Sequence, residues 1–80
     1  SRLADYEIAA ARFFVERKAY AAAANRARYI VEYFPGGEQV EEALVIMVEC
    51  YGILGLDDLQ KNARQVLTVN YPNNEMVKGL

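Results

Sequence analysis

Hydrophobic residues recur every three or four positions along this chain, which is the period of an α-helix that packs one face on a core. In the first such stretch, residues 3–17, the apolar positions include Leu3, Tyr6, Ala10, Phe13 and Phe14. Residues 20–34 are rich in alanine, which has the highest helix propensity. Pro35-Gly36-Gly37 ends that stretch because proline cannot continue a helix. The pattern predicts a helical hairpin with a tight turn at Lys18-Ala19.

The second half of the chain shows the same arrangement. Residues 38–54 form a third predicted helix, whose acidic first turn suits the positive end of the helix dipole. Gly55-Leu56 provides the next turn, because glycine is a common helix C-cap. A fourth helix is predicted from Asp57, with Gln60 at the spacing of a capping box, to about Asn70.

An internal repeat connects the two halves. Pro35 and Pro72 lie 37 residues apart, and each follows an aromatic residue. Shifted by that distance, the segment NRARYIVEYFP aligns without a gap on NARQVLTVNYP. A repeat of about this length that contains two helices is typical of tetratricopeptide arrays.

We therefore predict an all-α fold of two tandem tetratricopeptide-like helix hairpins, a segment of an α-solenoid. The chain would be a single domain over residues 1–80, with repeat one at about 3–37 and repeat two at about 38–74. The tail, residues 75–80, would begin a further short helix. Small residues at Ala11, Ala23 and Ala27 suit helices that approach closely. A plain four-helix bundle is the structural alternative.

Composition narrows the class of protein. The net charge is −2, and no basic stripe is present that could neutralise phosphates, so we expect no binding to nucleic acid. No apolar run reaches the length that spans a bilayer, so we expect no direct membrane insertion.

Cys50 lies in an apolar helical stretch, and we predict that it is a small buried hydrophobic residue. The chain begins inside a helical pattern without methionine, and we expect a segment of a longer protein.

Candidate catalytic chemistry is missing from the sequence. The chain has no histidine, one cysteine, one serine (Ser1) and one threonine (Thr68). The adjacent carboxylates Glu41-Glu42 and Asp57-Asp58 lie near helix starts, where the helix dipole accounts for them. We therefore predict no catalytic, metal or cofactor site and expect a protein that is not an enzyme.

Several longer motifs resemble one family, the BamD tetratricopeptide lipoproteins of the bacterial β-barrel assembly machinery, in their C-terminal repeats. The motifs are YE at 6–7, ARFF at 11–14, RKAY at 17–20, AANR at 23–26, YFP at 33–35, VEEAL at 40–44 and LGL at 54–56. They extend over residues 3–72, and a generic tetratricopeptide pattern does not require the Asn-Arg pair or the VEEAL run. The second repeat departs from the strict pattern at Val48 and Gln60, where small residues are preferred.

The resemblance implies a scaffold module for outer-membrane protein assembly that docks the periplasmic POTRA domains of BamA, the barrel-forming subunit. It implies further contacts with the companion lipoproteins BamC and BamE. It also implies a place at the periplasmic face of the outer membrane of a Gram-negative bacterium, with a lipid anchor outside this segment. Two alternatives stay open: a peptide- or partner-binding tetratricopeptide module of another pathway, and a structural segment of a solenoid with no partner of its own.

The candidate partner-binding residues lie on the second predicted helix. Arg26, Tyr29 and Tyr33 share a row with Ala22, and arginine and tyrosine are enriched at interface hot spots. The resemblance adds Asn25 through the Asn-Arg motif, and Arg28 is a further candidate. The alternative is that Arg26 pairs with a carboxylate inside the chain while the tyrosines pack on the next repeat.

Two other surfaces follow from the repeat prediction. The groove formed by the first helix of each hairpin would carry Ile8, Arg12, Val15, Glu42, Val45 and Glu49. Its mixed charge argues against a groove that grips a peptide carboxylate, which needs converging cations. The face that a preceding repeat would cover is apolar, so we expect self-association or marginal stability.

Overall fold

Four long helices and one short helix follow one another through residues 1–78, the part of the chain that the computed structural model describes. Their bounds are α1 Arg2–Glu16, α2 Tyr20–Tyr33, α3 Val40–Ile53, α4 Asp57–Asn70 and α5 Glu75–Lys78. The four long helices end within two residues of the predicted bounds. The end of the predicted tail helix, residues 79–80, lies outside the described residues.

The two hairpin corners have nearly the same backbone geometry. Lys18 and Gly55 adopt positive φ angles of 61° and 73°. The next residues, Ala19 and Leu56, have φ/ψ angles of −89°/69° and −91°/74°. Both turns therefore fall where the sequence predicts them, and the 37-residue repeat is present in the backbone as well as in the side chains.

The helices pack in chain order, which distinguishes an open array from a closed bundle. Helix α1 packs on α2, α2 on α3 and α3 on α4, and α1 also reaches α3. A closed four-helix bundle would bring α1 and α4 together as neighbours, and no extensive contact joins them within residues 1–78. The chain therefore forms two tandem tetratricopeptide-like hairpins.

Alanines on α1 and α2 let these helices approach each other closely, as predicted. Ala11, Ala23 and Ala27 have no solvent exposure. The larger core side chains, Ile30 and Leu44, fill the space between α2 and α3. Burying one such side chain stabilises the fold by about 1.5–3 kcal/mol, so the α2–α3 contact carries much of the stability.

The predicted capping box at the start of α4 is wrong. The N-cap position is Leu56, which supplies no capping side chain. The side-chain amide of Gln60 instead donates a 3.1 Å hydrogen bond to the Val48 carbonyl of α3. Gly52 makes room for it, since a Cβ there would lie 2.4 Å from Gln60 Nε2. A glycine on α3 thus compensates for a large residue on α4.

The outer side of α1 exposes three large apolar side chains, Leu3, Tyr6 and Phe13. The Arg17 guanidinium stacks on the Phe13 ring at 3.6 Å, which covers part of it. This is the face that we expect a neighbouring repeat to cover. Separately, none of the helices within residues 1–78 is long and apolar enough to cross a membrane.

Candidate partner-binding surface

Three of the predicted site residues come together on the outer side of α2. Arg26, Tyr29 and Tyr33 all lie at the surface, and the two tyrosine side chains are 41% and 63% exposed. Their ring centroids lie 4.6 Å apart, and Tyr29 also lies near Phe34 at 6.2 Å. The two tyrosine rings therefore lie against each other, tilted by 36°, and much of each ring stays exposed. We call Arg26, Tyr29 and Tyr33 the α2 surface.

Arg26 also makes the internal ion pair that the alternative interpretation predicts. Its Nη1 atom donates to both carboxylate oxygens of Glu7, at 3.3 Å and 3.2 Å. Glu7 lies on α1 and is buried. Only Nη1 is engaged with Glu7, and almost half of the Arg26 side chain is exposed. The guanidinium therefore holds a buried carboxylate on one side and presents further donors to solvent on the other.

The other two candidates, Asn25 and Arg28, lie on a different side of α2. They face the corner between α3 and α4, where they line a pocket together with Tyr51 and three leucines: Leu54, Leu56 and Leu59. Arg28 also approaches Glu32 on its own helix at 4.0 Å. The five candidates thus divide into two surfaces. The leucines were not predicted, because a helical period alone does not show that the residues of a turn face the preceding hairpin.

Within residues 1–78, Arg12 is the cation that lines the groove between α1 and α3, and it is paired. Arg12 forms a bidentate ion pair with Glu42, and this hydrogen bonding raises the pKa of the Arg12 guanidinium against the opposing effect of desolvation. The remaining groove residues include Val15, Glu16 and Glu49. Ile8 was wrongly predicted to line the groove, because it is buried in the core. The arrangement does not provide the converging cations that a peptide carboxylate requires.

Cys50 is buried as predicted, near the C-terminal end of α3. Burial raises the pKa of the thiol above its ordinary value, and the charge of Glu49 adds to the effect. The thiolate that would act as a nucleophile or metal ligand is therefore disfavoured. Within residues 1–78, no group of three histidine, cysteine or carboxylate side chains is placed to hold a metal ion.

The order of packing, the repeated corners and the small residues between helices define an all-α tetratricopeptide-like repeat protein. Comparison with known proteins gives the family. Residues 1–67 match the model of the YfiO family, described as an outer membrane lipoprotein. That match covers most of the chain, and the chain belongs to this family.

Individual relatives agree with the family match. An outer membrane protein assembly factor BamD from Xylella fastidiosa is 37% identical over 76 residues, which cover 95% of this chain and 26% of the relative. BamD from Neisseria meningitidis serogroup A is 40% identical over 68 residues, covering 85% of this chain and 26% of the relative. BamD from Vibrio cholerae is 36% identical over 70 residues, covering 88% and 29%. The chain spans about a quarter of the length of these relatives.

Proposed function

We propose that this chain is a protein-docking module of the outer-membrane protein assembly machinery, and that the α2 surface binds the POTRA domains of BamA. The proposal places the module at the periplasmic face of the outer membrane of a Gram-negative bacterium, held by a lipid anchor outside this segment. Contacts with BamC and BamE belong to the same proposal. The family membership and the assembly-factor names of the relatives support it.

The observation that carries the proposal is the pairing of a fixed arginine with two exposed tyrosines. Ordering a long side chain on binding costs entropy, and the Glu7 carboxylate already restricts Arg26 in the free protein. The rings of Tyr29 and Tyr33 lie against each other beside it, with their centroids 4.6 Å apart. A preordered arginine can form a bidentate bond to a carboxylate of the partner, and tyrosines supply contact area with a polar end.

The test measures the affinity of the 80-residue chain for purified POTRA domains by isothermal titration calorimetry. Arg26→Gln should weaken binding about tenfold or more, as expected of a hot-spot arginine. Tyr33→Ala should weaken it by a smaller factor, because this change removes contact area but no ion pair with the partner. Val69→Ala, which removes an exposed side chain from α4, is the matched control and should bind as the parent does.

Arg26→Gln also leaves the buried Glu7 carboxylate unpaired, so loss of binding has to be separated from loss of folding. An unsatisfied buried group of this kind costs about 1–3 kcal/mol. The double variant Glu7→Gln/Arg26→Gln removes that charge and should recover most of the unfolding free energy. Affinity should stay low in the double variant. Full affinity in either variant, or no binding by the parent chain, would refute the proposal. Tight sequence-specific ligands from a peptide array would instead favour a tetratricopeptide module of another pathway.

A further inference from the structure

The corner between α3 and α4 carries an apolar cluster that the fold does not require. Leu54, Leu56 and Leu59 are 40%, 43% and 47% exposed, although they border one pocket. The equivalent positions of the first corner, 37 residues earlier, hold Arg17, Ala19 and Ala22. Both corners nevertheless have the same backbone geometry. The leucines are therefore not needed to make the turn, and an exposed apolar cluster of this kind marks a contact surface.

The corner is also held rigidly. The backbone N–H of Leu56 donates to the Tyr51 carbonyl at 2.9 Å, and the backbone N–H of Gln60 donates to the Leu56 carbonyl at 2.9 Å. Gly55 adopts its positive φ at the turn without strain, because glycine has no Cβ. A preformed apolar pocket loses little entropy when it accepts a side chain. We call this site, which also includes Tyr51, Asn25 and Arg28, the corner pocket.

The polar groups of the corner pocket indicate the chemistry of its occupant. Arg28 is the charged side chain among the lining residues, and about half of it is exposed. Among the described residues, no carboxylate lines the pocket, and Glu32, the ion-pair partner of Arg28 one turn along α2, lies 4.0 Å from it. The guanidinium therefore keeps donors for an incoming anion, while Asn25 offers an amide beside it. The pocket complements an apolar side chain with a carboxylate next to it.

We propose that the corner pocket docks a segment of a partner protein in which an aliphatic or aromatic side chain adjoins an aspartate or glutamate. The apolar side chain lies against Tyr51 and the three leucines, and the carboxylate accepts from Arg28. This contact is separate from the α2 surface, because Arg28 and Arg26 point to different sides of the helix. The module then holds partner proteins at two places.

The test uses the tetrapeptide Gly-Phe-Asp-Gly, acetylated and amidated so that the aspartate is its one charge, with Gly-Phe-Asn-Gly as the matched neutral peptide. Each is titrated into the ¹⁵N-labelled 80-residue chain, and amide shifts are followed by NMR. Saturating shifts are expected at residues 54–59 and on the facing side of α2. The acidic peptide should bind about threefold more tightly, which is the scale of an exposed ion pair.

Three variants assign the result to the pocket. Arg28→Gln should abolish the difference between the two peptides, and Leu59→Ala should weaken both about fivefold through lost apolar contact. Arg64→Gln, which removes an arginine from α4 outside the pocket, should change neither. Shifts confined to other surfaces, or an acid preference that survives Arg28→Gln, would overturn the proposal. Concentration-dependent shifts at residues 54–59 without peptide would show that a second copy of the chain fills the pocket, and would also overturn it.

Discussion

Helices α2 and α4 hold equivalent places in the two hairpins, yet only α2 is covered on both sides. Each has 14 residues and follows a corner of the same geometry. Helix α2 lies between α1 and α3, and it buries Ala24 and Ala27. At the equivalent positions α4 carries Lys61 and Arg64. The backbone of the repeat is thus constant, and the size and polarity of the side chains determine which faces become part of the core.

The largest effect should come from truncating the core of the covered helix. Ile30→Ala should lower the free energy of unfolding by about 3–4 kcal/mol, because the cavity lies between packed helices that cannot collapse into it. Leu67→Ala on α4 should cost about 1 kcal/mol less, since an edge helix can move toward the gap. Equilibrium urea denaturation of both variants measures the difference. Equal losses would show that α4 is held as firmly as α2.

A smaller effect tests the same comparison by adding volume. Ala27→Leu should destabilise the fold by about 1–3 kcal/mol, because the alanine has no free space around it. Arg64→Leu, at the equivalent position of α4, should change the unfolding free energy by no more than about 0.5 kcal/mol. Urea denaturation again provides the measurement. A tolerated leucine at position 27 would mean that α1 and α2 can separate without loss.

The exposed side of α1 provides a third test, through self-association. Its residues Leu3, Tyr6 and Phe13 stand 37 positions before residues that α3 buries, namely Val40, Ala43 and Cys50. We therefore expect two copies of the chain to associate through α1. Tyr6→Asp should weaken that association about tenfold, because a charge would be buried at the contact.

Analytical ultracentrifugation over a range of protein concentrations measures this effect. Val69→Asp adds the same charge on the outer side of α4 and serves as the control, with no change expected. A parent chain that stays monomeric and melts well above about 45–65 °C, the usual range for mesophilic domains, would contradict the expectation.

The smallest effect concerns Cys50 on α3. Its raised pKa lowers the thiolate fraction at neutral pH, and burial blocks access. Modification by a thiol reagent at pH 8 should therefore be slow in the folded chain and fast after denaturation in urea. The folded rate should increase as the pH rises toward the raised pKa. Immediate modification of the folded chain would show that α3 is not tightly packed against the neighbouring helices.

Much of the fold follows from the sequence, for identifiable reasons. The helices and the hairpin turns depend on local signals, which are apolar period, alanine content, proline and glycine, and these are readable residue by residue. The contact between Gln60 and Val48 could not be predicted from the sequence, because it depends on space that Gly52 on another helix leaves free. The burial of Ile8 also escaped prediction, since a helical period does not specify how far α1 rotates toward α3.

The candidate site was predictable only in part. The helical period groups Arg26, Tyr29 and Tyr33, and the structure confirms that they share one side of α2. Asn25 and Arg28 were added because of a motif and their charge, and they face another corner of the molecule. Which carboxylate pairs with Arg26 could not be inferred, because the partner, Glu7, comes from a distant turn of α1.

Because Glu7 on α1 holds Arg26, the position of the Arg26 guanidinium on the α2 surface depends on the position of α1. If α1 slides by one turn or detaches, the guanidinium loses its anchor and a formerly buried charge must find a new environment. A partner that selects the ordered form of Arg26 would thus recognise closed hairpins and reject frayed ones.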